Sequence, residues 1–241
     1  MIHTKRSFPL KFFLFLVILC LLAAALSFAA LRFGTPDQPV QNEPEKKDFV
    51  VVLDAGHGGE DGGAVSASGL YEKDLNLSIA KLLQEMLEAN GVTVVMTRET
   101  DTLLYDRNVD YHGRKKALDL AARRKIGEET PDSIFVSIHM NAYPQAQYHG
   151  LQVWYSPNHA HSREIAETIQ STVREHLQTE NTRRVKSATS SIYLLHHLNC
   201  PAVLIECGFL SNPDEAERLN DPEYQKELAF LLFLSIMEAG G

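Results

Sequence analysis

Cysteine is scarce in this chain. Cys20, Cys200 and Cys207 are spread over 241 positions, too few for the disulfide framework of a small secreted domain. A disulfide between Cys200 and Cys207 is allowed but not required, because buried thiols are the commoner use of such residues. Basic charge is short as well. The first 33 residues hold Lys5, Arg6, Lys11 and Arg32 and no acid, which leaves 19 bases against 31 acids from Gly34 onward, a formal charge of −12. That balance argues against nucleic acid, or an anionic membrane face, as the main partner. No internal repeat and no low-complexity tract is found. Two motifs are missing too. Without His-Glu-x-x-His the chain has no zinc site built on one helix, and without Gly-Lys-Ser/Thr after its Gly-rich loop it has no phosphate-cradling P-loop.

What is present begins with an apolar head. Phe12 to Leu31 is broken only by Cys20 and Ser27, and about 20 such residues match the hydrocarbon thickness of a bilayer. The bases ahead of it predict a cytoplasmic N-terminus. Residues 1–33 are therefore expected to be a signal peptide or an N-terminal membrane anchor. Ala23-Ala24-Ala25 and Ser27-Phe28-Ala29 offer cleavage sites, and either outcome exports the remainder. Residues 34–48 are polar and Pro-rich and read as an extended tether. Residues 49–241 are long enough to fold on their own core.

Within that domain, apolar runs of strand length alternate with helical patterns. Phe49–Leu53, Val92–Thr97, Ile134–Ile138 and Ala202–Ile205 read as strands buried on both faces, and Gly150–Tyr155 as one with a more polar face. A helix is predicted from Leu75 to the stop at Asn90-Gly91, with Glu72 at or before its first turn. Val109–Ile126 reads as a helix whose bases, Arg114, Lys115, Lys116, Arg123, Arg124 and Lys125, form a solvated face. Ser162–Gln178 is predicted as a helix N-capped by Ser162, and Pro222–Glu238 as the last helix, opened by Asp221-Pro222. The order predicts an α/β fold: a single three-layer domain with a largely parallel central sheet flanked by helices.

Three buried strands end in chemistry. The first runs into Asp54-Ala55-Gly56-His57-Gly58-Gly59, the third into His139 and the last into Glu206, with Glu72 opening the helix after the first. In a mostly parallel sheet such ends share one edge, where ligands collect. Two histidines and a carboxylate with a position left for water is the donor set of a catalytic zinc, and a second carboxylate would take a proton from that water. Taken singly, Glu72 also suits a helix start by charge, and His57 suits a turn. Asp54 and Asn141 are candidates to orient the ligands. Cys207, next to Glu206, should face the opposite side of its strand and sit in the core. His149, His159 and His161 read as surface residues, and His196-His197 has no assigned contact. Arg183, Arg184 and Lys186, in the polar stretch 180–191, are candidates to meet substrate carboxylates.

Five ordered segments carry a resemblance: Asp54–Ala64, Tyr71–Leu77, Met96–Asp101, Ser137–Ala142 and Pro201–Asn212. Over residues 49–237 the chain resembles the zinc-dependent N-acetylmuramoyl-L-alanine amidases of the amidase 3 family. Its short layout is most similar to the spore-cortex, germination-specific members. The resemblance implies that His57, Glu72 and His139 bind Zn2+ and that Glu206 is the catalytic acid/base. The implied substrate is peptidoglycan, cut between the lactyl group of N-acetylmuramic acid and L-alanine, ahead of muramic-lactam formation in the cortex. Division-associated relatives often insert a blocking helix before the strand corresponding to Gly150–Tyr155; only residues 142–149 stand there here, so control is expected from expression timing or from a protein partner. Two other readings fit the residues less well: a carboxypeptidase-like hydrolase of another wall amide, and a non-catalytic wall-binding relative, which would usually have lost one of the four site residues.

Overall fold

A computed structural model describes residues 10–32, 47–106, 108 and 112–240. The chain forms two compact units, Met1–Glu43 and Pro44–Gly241. In the first, helix α1 spans Leu10–Arg32. Its described side chains, in the ranges 12–15 and 17–25, are all exposed, and among described residues no helix is long and apolar enough to cross a membrane. The expected tether, 34–48, lies almost wholly outside the described residues.

The second unit is an α/β domain with one six-stranded sheet. Its elements run β1 (Val50–Ala55), α2 (Glu72–Ala89), β2 (Thr93–Met96), α3 (Lys115–Glu129), β3 (Ser133–Asn141) and β4 (Gln152–Tyr155). Then follow α4 (His161–His176), β5 (Lys186–Ser187), α5 (Tyr193–His197), β6 (Ala202–Phe209), α6 (Pro213–Asn220) and α7 (Pro222–Gly240). The strand order is β2-β1-β3-β6-β4-β5. All neighbours pair in parallel except β4 with β6, so the sheet is largely parallel with a reversed edge.

Helices cover both faces. Val51, Leu53, Ile138 and Ile205 pack with Ile79 and Leu83 of α2, Ile169 of α4 and Leu232 of α7, all completely buried. On the other face Val52, Phe135 and Leu204 meet Leu194 and Leu195 of α5, with Leu120 of α3 partly buried against them. Fully burying each such side chain contributes about 1.5–3 kcal/mol. This second layer is thinner. Its opening above the carboxyl ends of β1 and β3 is where the site lies.

Several local expectations change. The helix predicted over Val109–Ile126 begins at Lys115, with 109–111 outside the described residues. Arg123 is not on a solvated face: it is 1% exposed and ion-paired on both sides. Ser162 does not cap α4, which starts at His161; its Oγ instead accepts from Ala202 N at 3.0 Å, tying α4 to β6. Asn212 does cap α6, accepting from Glu215 N at 3.1 Å. The polar stretch 180–191 contains β5 and leads into α5, neither foreseen. Cys200 and Cys207 are both free thiols.

Candidate metal centre

Strand β1 ends at Ala55, and the chain then turns through His57 in the left-handed region (φ 62°), a conformation that costs a non-glycine residue energy. Buried donors hold the turn. Ala55 O accepts from Arg98 Nε and from Arg123 Nη1, each at 2.8 Å. Gly56 O accepts from Arg98 Nη2 at 3.0 Å and from Asn76 Nδ2 at 3.1 Å, and His57 O from Arg123 Nη2 at 2.7 Å. Three successive carbonyls are thus satisfied by two arginines and an asparagine, so the imidazole of His57 stands on a rigid base.

Glu72 opens α2 with its carboxylate 4% exposed. Oε2 accepts from Ala64 N at 2.7 Å, and Oε1 from Met140 N at 3.1 Å. Oε1 also lies 2.8 Å from His139 Nδ1 and 3.2 Å from His57 Nε2. One donor atom from each of the three residues falls within a 4.8 Å cluster. Asn76, four residues along α2, reaches Oε1 at 3.4 Å, and Asp61 Oδ2 lies 3.0 Å from His57 Nδ1. Burial pushes the Glu72 carboxyl up, but hydrogen bonds and charge from His139 and His57 outweigh it and hold it well below the usual carboxylate range. Burial likewise depresses His57, and Glu72 with Asp61 more than reverse it. Two glycines make room. A Cβ on Gly56 would collide with the His139 ring, and one on Gly63 (φ 67°) with the Glu72 carboxylate and the His57 ring.

Glu206 pairs with His139 across β6 and β3. Its Oε2 is buried with no hydrogen-bond partner. Burial first, then the charge of Glu72, raise its pKa to about 7, against the opposing pull of His139 and His57. Cys207 points the other way, into the core, fully buried. A cavity of about 220 Å³ opens over the centre, lined by His57, His139 and Glu206 and walled by Lys116, Tyr193 and Leu204. A larger one, about 370 Å³ beside His149, Asn181 and Glu215, contains none of the four. The donor set suits a borderline metal such as zinc: two imidazoles and a carboxylate already ionised, beside an unpartnered second carboxylate.

The structure brings His57, Glu72 and His139 together and sets Glu206 beside them. Asp54 acts at one remove: its carboxylate accepts from Thr97 Oγ1 (2.7 Å), Ser137 Oγ (2.6 Å) and Arg123 Nη1 (2.6 Å). Asn141 gives only its backbone carbonyl, to Leu210 N. Missing from the sequence reading are Asn76, Asp61, Arg98 and Arg123. The spacing of Asn76 four residues after Glu72 is the one signal that marks its position. His197 bonds the Tyr193 carbonyl within α5, and His161 that of Ala239; neither lines the cavity.

Comparison with known proteins accords with this arrangement. A family model described as N-acetylmuramoyl-L-alanine amidase matches residues 51–238. The germination-specific N-acetylmuramoyl-L-alanine amidase of Bacillus subtilis (strain 168) is 39% identical over 188 residues, 78% of each chain. Among solved structures, the CwlD amidase from Clostridioides difficile in complex with the GerS lipoprotein superposes with a TM-score of 0.75 at 38% identity, over 80% of this chain and 98% of that one. The catalytic domain of CwlV, an N-acetylmuramoyl-L-alanine amidase from Bacillus (Paenibacillus) polymyxa var. colistinus, gives 0.65 at 29% identity, over 79% and 97%.

Proposed function

The chain belongs to the N-acetylmuramoyl-L-alanine amidase family, amidase 3, and from that premise we propose how its site divides the work of cutting the amide between the lactyl group of N-acetylmuramic acid and L-alanine in peptidoglycan. His57, Glu72 and His139 hold a zinc ion, and Glu206 is the general base and then the general acid. Zinc in a three-ligand site supplies Lewis-acid polarisation of a carbonyl and makes water more acidic. The carrying observation is the orphaned, buried Oε2 of Glu206 beside the three donors. In the metal-free site burial raises this carboxyl above its ordinary range, and a carboxyl there can take a proton from the attacking water and return it to the departing alanine nitrogen. That return matters, because an amine leaves poorly without a proton. Glu72 is ionised before any metal arrives, and the Arg98–Arg123 clamp fixes the His57 backbone, so little reorganisation is needed.

The wider setting follows the same reading. Residues 49–241 are the catalytic domain, 34–48 a tether, and 1–33 a head that exports the domain and, if uncleaved, anchors it to the outer face of the membrane. The support is the apolar run from Phe12 to Leu31 and the bases ahead of it. Action on the spore cortex is favoured by likeness to the germination-specific relative. Regulation by a protein partner is favoured by the GerS complex of the CwlD relative and by the turn, rather than helix, in residues 142–149.

The test incubates purified peptidoglycan with zinc-loaded protein, chelated protein and Glu206→Gln, and analyses products by mass spectrometry. Stem peptides with free L-alanine N-termini are expected from the zinc-loaded wild type alone, with zinc still bound in Glu206→Gln. Release by Glu206→Gln at the wild-type rate would overturn its role.

A further inference from the structure

Gln152 of β4 pairs directly with Glu206 of β6, as His139 of β3 does from the other side. Directly paired residues project from one face of a sheet with Cβ atoms about 5 Å apart. Gln152 is therefore the next side chain beyond Glu206, away from the metal ligands. It is buried, and its amide holds the segment that follows α4: Nε2 donates to the Arg184 carbonyl at 2.7 Å, and Oε1 accepts from Arg183 Nη1 at 3.3 Å. Arg183 is gripped twice more. Its Nε donates to the His149 carbonyl at 2.7 Å, and its guanidinium lies 4.4 Å from the Phe209 ring centre and 5.9 Å from that of Tyr148.

A guanidinium has five N–H donors, and these bonds leave three of them without a protein partner. No described carboxylate forms an ion pair with Arg183; Glu215 acts on it only at longer range. An arginine stacked and hydrogen-bonded in place, with one edge of its fork unspent, is preorganised for bidentate binding of a carboxylate. Its neighbours differ. Arg184 is exposed, and the Lys186 ammonium lies over the Trp154 ring at 5.1 Å. The charge of the domain sharpens the argument: at −10 over residues 49–241 it repels a carboxylate-bearing peptide, so a local fixed cation is needed to hold one.

We propose that Arg183 is a specificity residue of this amidase, binding a carboxylate of the stem peptide while the scissile amide lies at Glu206. The proposal rests on the reading of the site given above and names the part of the substrate it grips. No bond is made or broken there.

The experiment uses the full chain, zinc-loaded, with glycan fragments bearing N-acetylmuramoyl-L-alanyl peptides whose second residue ends in either a free carboxylate or a carboxamide. The wild type should favour the carboxylate by about tenfold in kcat/KM, the worth of one charge-assisted hydrogen bond, mostly through KM. Arg183→Gln should bring the ratio to near one with kcat kept, and Arg184→Gln should leave it unchanged. A wild type that cuts both substrates equally overturns the proposal whatever the variants do, as does Arg183→Gln retaining the wild-type ratio. Failure of the underlying reading looks different: Glu206→Gln would then cut both substrates as fast as the wild type.

Discussion

Glu206 carries the largest unpaired electrostatic burden at the site, and its consequence extends beyond catalysis. Its folded pKa of about 7 lies above the ordinary carboxyl value of 4.5. Below pH 4.5 the group is protonated whether the chain is folded or not, so it costs nothing. Between 4.5 and 7 the unfolded chain gives up the proton and the folded chain keeps it, so stability falls as pH rises. Above 7 the full cost, about 3 kcal/mol, is present. In metal-free protein, Glu206→Gln should therefore melt at a higher temperature than wild type at pH 8 and at the same temperature at pH 4. Equal melting at pH 8 would mean that water or movement relieves the carboxylate. A smaller substitution tests the space around it. Gly63→Ala should weaken zinc binding by a factor of ten or more, on the order of 1.4 kcal/mol, because its Cβ meets Glu72 and His57 and its φ of 67° resists a side chain; calorimetric titration with zinc would measure it.

At the scale of elements, α3 reaches across its face of the sheet through one side chain. Arg123 Nε pairs with Asp119 Oδ2 at 2.8 Å within the helix, and Nη1 with Asp54 Oδ1 at 2.6 Å on β1. It also donates to the Ala55 and His57 carbonyls, and Nη2 reaches Asp119 Oδ1 at 3.4 Å. Replacing it with alanine leaves two buried carboxylates without their cation and takes the donor from the His57 carbonyl, while Arg98 still serves that of Ala55. Breaking a buried ion pair from one side costs about 3–5 kcal/mol. Arg123→Ala should lose that much in urea unfolding. It should also bind zinc less tightly, since the turn carrying His57 loses an anchor while all three donors remain. Unchanged zinc affinity in a destabilised variant would reduce Arg123 to a structural role. The basic spacing along α3 does not single out this residue from Arg124, which pairs at the surface with Glu128. Only the facing of the helix does.

For the whole molecule, the metal site and the fold are one equilibrium. His57, Glu72 and His139 come from a loop, a helix and a strand separated by up to 82 residues in the chain, so the unfolded chain offers no comparable site and binding adds to stability. Zinc at one hundred times its Kd should raise the unfolding free energy by about 2.7 kcal/mol, seen as a higher Tm that chelation reverses; the same shift in His139→Ala would place the metal elsewhere. The sequence by itself determined the alternation of strands and helices, the parallel sheet, the family, and three strand ends bearing His57, His139 and Glu206. Those follow from periodicity and from residue types that the chemistry demands, both local properties of the chain. Tertiary structure alone decided that Arg123 is buried, that Ser162 serves β6 rather than its own helix, and that Gln152, the strand partner of Glu206, bonds Arg183. Each depends on which residues of distant segments share a face, and register and helix rotation settle that only when the layers pack.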